Sequence, residues 1–139
     1  MTNITDINNT FLLSGCIDNY NELTERHVAT VINCRMEQHD DISELSRRNI
    51  AYYWIPFVDA TAPRRDQIET FLDICNKHTD RILIHCTLGV GRSAFLAIVY
   101  LVMFHRLSLD DALKMLKRKR PIVSFNECQL DKLQKLYGE

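Results

Sequence analysis

The chain has 139 residues, 46% of them hydrophobic and 25% charged, with a formal net charge of -1; this is enough apolar material for one ordinary core and reads as a single domain over residues 1–139. Residues 1–80 carry 7 basic and 13 acidic side chains and residues 81–139 carry 10 and 5, so a basic second half can draw in a phosphorylated ligand, but the strongly basic footprint of a nucleic-acid binder is missing. Five cysteines, an odd and widely spaced set without a C-x-x-C pair, and five scattered histidines argue against a disulfide framework, a metal site or any other cofactor.

Along the chain, "TFLLSG" from Thr10, "VATVINC" ending at Cys34 and "AYYWI" from Ala51 read as strands, each rich in β-branched or aromatic residues. "NYNELTERH" between the first two reads as a short helix, and a polar helix is expected over residues 41–48. Ile68, Phe71, Leu72 and Cys75 recur at helical spacing, so residues 64–78 form a helix with one buried face and Cys75 belongs to the core. "RILIH" is a buried strand. Residues 91–105, apolar almost all round, suit a helix at the centre of the fold. Its apolar run of 11 residues, 94–104, is far short of the roughly 20 needed to cross a bilayer. With no signal-peptide pattern, the protein is expected to be soluble, monomeric and cytoplasmic, the nucleus not excluded.

Ser108 followed by Asp111 resembles a capped helix start, with Leu109, Ala112, Leu113 and Leu116 inward. That helix ends before Pro121 in the basic run Lys117, Arg118, Lys119 and Arg120, which reads as a solvated helix end favouring the dipole. A last helix over residues 125–137 would bury Leu130, Leu133, Leu136 and Tyr137. Strands alternating with helices, then helices alone, define an α/β fold around a central, mainly parallel sheet of about five strands.

The chemistry centres on "HCTLGVGRS", residues 85–93. A strand ending at His85, a loop with Gly89 and Gly91, and a helix beginning near Gly91 would aim the amides of Thr87, Leu88, Gly89, Val90, Gly91 and Arg92 at an anion. It is not a nucleotide P-loop, because the Gly-Lys-Ser/Thr ending is absent. Cys86 at the entrance faces those dipoles, a setting that lowers a thiol from about 8.5 and favours the thiolate. Arg92 can grip two oxygens of a phosphoryl group at once, which lysine cannot. The Ser93 hydroxyl can donate to the sulfur and help it leave.

This motif resembles the active-site signature of cysteine-dependent protein tyrosine phosphatases, and the chain as a whole resembles the small atypical dual-specificity phosphatases. "TFLLSGCIDNY" is similar to the family's opening strand, "YYWIPFVDATAP" to its general-acid loop, and "RPIVSFNECQL" to the segment behind the phosphate loop. The resemblance implies the dual-specificity-phosphatase fold and hydrolysis of phosphate monoesters through a phosphocysteine on Cys86. It implies Asp59, 27 residues upstream, as general acid; Asp66 is the rival, although it falls where a helix start favours an acid. Asn126 matches an asparagine that braces the phosphate loop, or simply caps the last helix; His85 either orients the nucleophile or is a satisfied core histidine.

The substrate so implied is phosphotyrosine, and also phosphoserine or phosphothreonine, in a protein or peptide. Phosphoinositides are disfavoured because the loop carries Leu88 and Val90 where relatives acting on them carry cations; an RNA 5'-phosphatase and a non-catalytic phosphate-binding module are the alternatives. Low-molecular-weight phosphatases and arsenate reductases also use C-x5-R, but near the N-terminus, and a rhodanese-like sulfurtransferase leaves "FVDATAP" unexplained. Cys34, at the end of a neighbouring strand, is either a buried thiol or the disulfide partner of an oxidised Cys86.

Overall fold

The computed structural model describes residues 3–138. Five strands, β1 (Thr5–Asp6), β2 (Phe11–Ser14), β3 (Thr30–Arg35), β4 (Ala51–Phe57) and β5 (Ile82–His85), form one sheet in the order β1-β2-β5-β3-β4. β2, β5, β3 and β4 run parallel, and β1 alone is antiparallel. Six helices complete the fold: α1 (Tyr20–Glu25), α2 (Ile42–Arg47), α3 (Arg65–Lys77), α4 (Arg92–His105), α5 (Leu109–Lys119) and α6 (Glu127–Tyr137).

Every residue of β2, β3 and β5 is buried, which is why these strands read as nearly continuous apolar runs rather than as alternating ones. Alternation still sorts the side chains by face. Phe11, Leu13, Ile32, Ile82 and Ile84 pack with α3, α4, α5 and α6, whereas Leu12, Val31 and Leu83 meet Leu23 of α1 and Leu45 of α2. The first ten residues of α4 are all buried, so this helix is the centre of the larger layer.

The structure refines several boundaries. β4 continues through Pro56 to Phe57; it lies at the sheet edge, where a residue without an N–H is tolerated. β1, two residues long, has too little pattern to be read from sequence. Asp41 caps α2 and Ser108 caps α5, the latter accepting from Asp111 N at 3.1 Å. Cys75 lies in the core as its spacing implies. α6 starts at Glu127, with Asn126 as N-cap in a reciprocal pair with Gln129. Leu130, expected inside, is 39% exposed. Gln129, one turn before the fully buried Leu133, takes the inward position instead and is only 2% exposed. Arg120, read with the solvated helix end, is buried.

All four parallel strands deliver their carboxyl ends to one edge of the sheet, the place where open α/β sheets gather ligand-binding loops. Gly15 follows β2, Glu37 follows β3, Asp59 follows β4 and Cys86 follows β5.

Candidate active site

Cys86 is 3% exposed at the end of the central strand β5. Its Sγ lies 3.1 Å from Ser93 Oγ and receives the Gly89 N–H at 3.3 Å. Gly89 adopts φ of 71°, a left-handed conformation that glycine takes without a steric cost. Gly91 needs no such freedom; with φ of -134° it caps α4 without a side-chain capping hydrogen bond, and the first amides of a helix so left favour an anion.

Arg120 explains why the Gly89 amide points inward. Its Nε donates to the Gly89 carbonyl at 2.9 Å and its Nη2 to the Leu88 carbonyl at 3.1 Å. In a trans peptide the carbonyl and the next N–H point opposite ways. Holding Leu88 O outward therefore turns the Gly89 N–H toward Sγ. Nη1 of the same side chain reaches Asn3 O at 2.6 Å and Thr5 Oγ1 at 2.9 Å. Gly15 backs the loop from β2, with Cys16 N donating to Thr87 O at 2.8 Å; a Cβ on Gly15 would lie 2.7 Å from that oxygen.

Arg92 is buried, and its terminal nitrogens form a two-point pair with Glu37: Nη1 to Oε1 at 2.8 Å and Nη2 to Oε2 at 2.9 Å. Thr87 Oγ1 donates to the same carboxylate at 2.7 Å. The hydrogen bonds from Arg92, then that from Thr87, hold Glu37 well below the usual carboxylate range. Arg92 Nε is the one buried side-chain polar atom without a hydrogen-bond partner among the described residues, and Asp59 Oδ1 lies 3.6 Å from it. A buried guanidinium N–H without a hydrogen-bond partner is chemically suited to receive an anion.

Asp59 is exposed in the loop after β4, where Ala60 takes φ of 68° and donates its N–H to Asp59 Oδ1 at 3.0 Å. The start of α6 holds this loop: Asn126 Nδ2 donates to Ala60 O at 2.7 Å and Gln129 Nε2 to Thr61 O at 3.3 Å. Asn126 thus caps α6 and ties the Asp59 loop; in place of the brace on the phosphate loop that the resemblance implied, Ser124 N donates to Val90 O at 2.9 Å. Asp66 sits in the first turn of α3, paired with Arg64 at 3.0 Å.

His85 is fully buried; Nε2 lies 2.7 Å from Asp40 Oδ2 and Nδ1 3.2 Å from the Cys86 carbonyl. Arg35 Nη2 donates to Asp40 Oδ1 at 2.9 Å. Cys34 is completely buried on β3; burial first, then the charge of Cys86, push its thiol well up. The structure thus brings Cys86, Arg92, Ser93, His85 and the loop 87–91 together with Asp59 at the rim. Sequence reasoning missed Glu37, Asp40, Arg35 and Arg120. Arg35 closes β3 and Glu37 and Asp40 follow it, at a strand end where a ligand loop is expected, and Arg120 directly precedes Pro121; neither signal separates them from solvated charges.

The family model for the dual specificity phosphatase catalytic domain matches residues 14–138, and the chain belongs to that family. Dual specificity protein phosphatase 18 of Rattus norvegicus is 35% identical over 108 residues, 75% of this chain and 51% of the relative. Dual specificity protein phosphatase 14 of Mus musculus is 34% identical over 113 residues, 78% and 54% of the two chains. The chain spans about half the length of these curated relatives. Among solved structures, Tk-PTP in its active form superposes with a TM-score of 0.85 at 27% identity, covering 96% of this chain and 95% of that one. PTPMT1 in complex with PI(5)P superposes with a TM-score of 0.87 at 20% identity, covering 96% and 94%, a likeness of fold.

Proposed function

We propose that the chain hydrolyses phosphate monoesters of proteins, phosphotyrosine first and phosphoserine or phosphothreonine with it, through a phosphocysteine on Cys86. The observation that carries this reading is the buried Cys86 Sγ, 3.1 Å from Ser93 Oγ and bonded by the Gly89 amide, beside an Arg92 whose Nε has no hydrogen-bond partner among the described residues. In the first step the Cys86 thiolate attacks phosphorus in line. The loop amides and Arg92 hold the equatorial oxygens, and Asp59 protonates the leaving oxygen. The P–S bond forms as the P–O bond breaks. In the second step the Asp59 carboxylate takes a proton from water, which attacks phosphorus; the P–S bond breaks and Ser93 donates to the departing sulfur.

Relatives named dual specificity protein phosphatases support a phosphoprotein substrate. So does the exposed apolar Leu88 in a loop that carries no lysine between Cys86 and Arg92. Cys86→Ser is expected to abolish turnover of phosphotyrosine peptides while the fold and peptide binding persist; normal turnover would rule out the covalent route. Asp59→Asn is expected to slow turnover by roughly 10² to 10⁴, and by much less on an aryl ester whose leaving group needs no proton. Equal losses on both esters would assign the proton to another group.

A further inference from the structure

Each ring nitrogen of the fully buried His85 faces an oxygen. Nδ1 lies 3.2 Å from the Cys86 carbonyl, which can only accept, and Nε2 lies 2.7 Å from Asp40 Oδ2. The Asp40 side chain is 1% exposed and its other oxygen accepts from Arg35 Nη2 at 2.9 Å, so it is an ionised carboxylate that also only accepts. A neutral imidazole has one N–H and would turn its bare nitrogen against one of these oxygens. Both contacts are satisfied only when both nitrogens carry protons.

We propose that Asp40, itself anchored by Arg35, holds His85 as an imidazolium and is a positioning residue for the nucleophile. The imidazolium N–H at Nδ1 fixes the Cys86 peptide, and its charge lies one residue from the sulfur, where it favours the thiolate. The set Arg35, Asp40 and His85 then carries one net positive charge, built from residues on β3, the loop after it and β5. Neighbouring strands supply no competing acid: Ser14 of β2 and Asn33 of β3 flank His85, Ser14 Oγ donates to Gly15 O, and Asn33 Nδ2 donates to Gln38 O and the Tyr52 hydroxyl. Tyr52 accepts from Asp40 N at 3.4 Å, and Tyr20, whose hydroxyl is pushed up mainly by burial, senses the Asp40 charge. The ionisable or polar groups at the Cys86 site include Arg92 and Ser93 of α4, Cys34 of β3, Arg120 after α5, Thr87 in the loop, and the carboxylates of Glu37 and Asp59, both paired with Arg92.

The proposal rests on the reading of Cys86 as nucleophile, yet its first test needs no turnover. In the full chain labelled with ¹⁵N-histidine, His85 is expected to show protons on both ring nitrogens throughout a titration from about pH 6 to 8, across the ordinary imidazole range. A single bare nitrogen on His85 at pH 7.5 would overturn the proposal, whatever the activity. The second test reads the rate of Cys86 alkylation by iodoacetamide against pH. Asp40→Asn, which keeps the size and loses the charge, is expected to leave His85 neutral and move the rise in alkylation upward by about one pH unit, with Asp40→Glu restoring part of the shift. An unmoved alkylation profile in a folded Asp40→Asn protein whose His85 has lost its second proton would refute the link to the nucleophile. If Asp40→Asn does not fold, the histidine signals of the unsubstituted protein still decide the charge state. A protein that passes both tests but hydrolyses no phosphate ester would instead count against the proposed function.

Discussion

At Gly89 one absent side chain sets the geometry of the loop around the Cys86 sulfur. A Cβ there would meet the backbone carbon and oxygen of Ser14 at 2.7 Å, and backbone cannot step aside as a flexible side chain can. Gly89→Ala is expected to shift the loop and lower turnover on an aryl phosphate by about 10²-fold, the effect of a misplacement near 1 Å, with an unchanged circular dichroism spectrum. Glu37 gives a different kind of prediction. A carboxylate held low in the folded state stabilises the fold above its unfolded value of about 4.3 and loses that contribution as pH falls toward the depressed value. Glu37→Gln is therefore expected to melt at a lower temperature than the unsubstituted protein near neutrality, and the gap to close progressively below about pH 4. Because Glu37 is half exposed, added salt should narrow the neutral-pH gap as well. A gap independent of pH would mean that the pair with Arg92 does not act through charge.

Among the elements, α6 separates packing from patterning. Leu130 and Leu133 look alike in sequence, but the inward turn at the N-terminal end belongs to Gln129, whose side chain serves both the cap and Thr61. Leu133→Ala is expected to lose about 2–5 kcal/mol in urea unfolding, whereas Leu130→Ala should stay within about 1 kcal/mol. The same helix shows how far an element can be read without its neighbours. Its length and cap were legible from the leucine spacing and Asn126, but the placing of a polar residue inward depends on the Asp59 loop it touches, which lies more than 60 positions away. β2, β3 and β5 were legible because burial on both faces leaves an uninterrupted apolar signature; Pro56 concealed the end of β4, since only its edge position permits a proline there.

Over the whole molecule, the legible part of the site is the part that is contiguous. Residues 85–93 carry Cys86, the glycine loop and the helix start in one stretch, so their spacing betrays them. Glu37, Asp40 and Arg120 reach the same place through the sheet and the α5 terminus, and a charged residue bound for the interior has the same letter as a solvated one. Arg120 is the strongest case: it ties together Asn3, Thr5, Leu88 and Gly89. Arg120→Met is expected to lower stability by about 2–3 kcal/mol, the scale of charged hydrogen bonds lost in the interior, together with a fall in turnover. Lysine should not rescue it, because a single ammonium cannot serve both loop carbonyls and Asn3. This clamp also has a kinetic meaning. Arg120 and its partner Asn3 are 117 positions apart, and contacts of such separation close late because the chain must first surrender its loop entropy. On refolding from urea, helix and sheet signals should therefore return before catalytic competence, with the loop after Cys86 the last part of the protein to set.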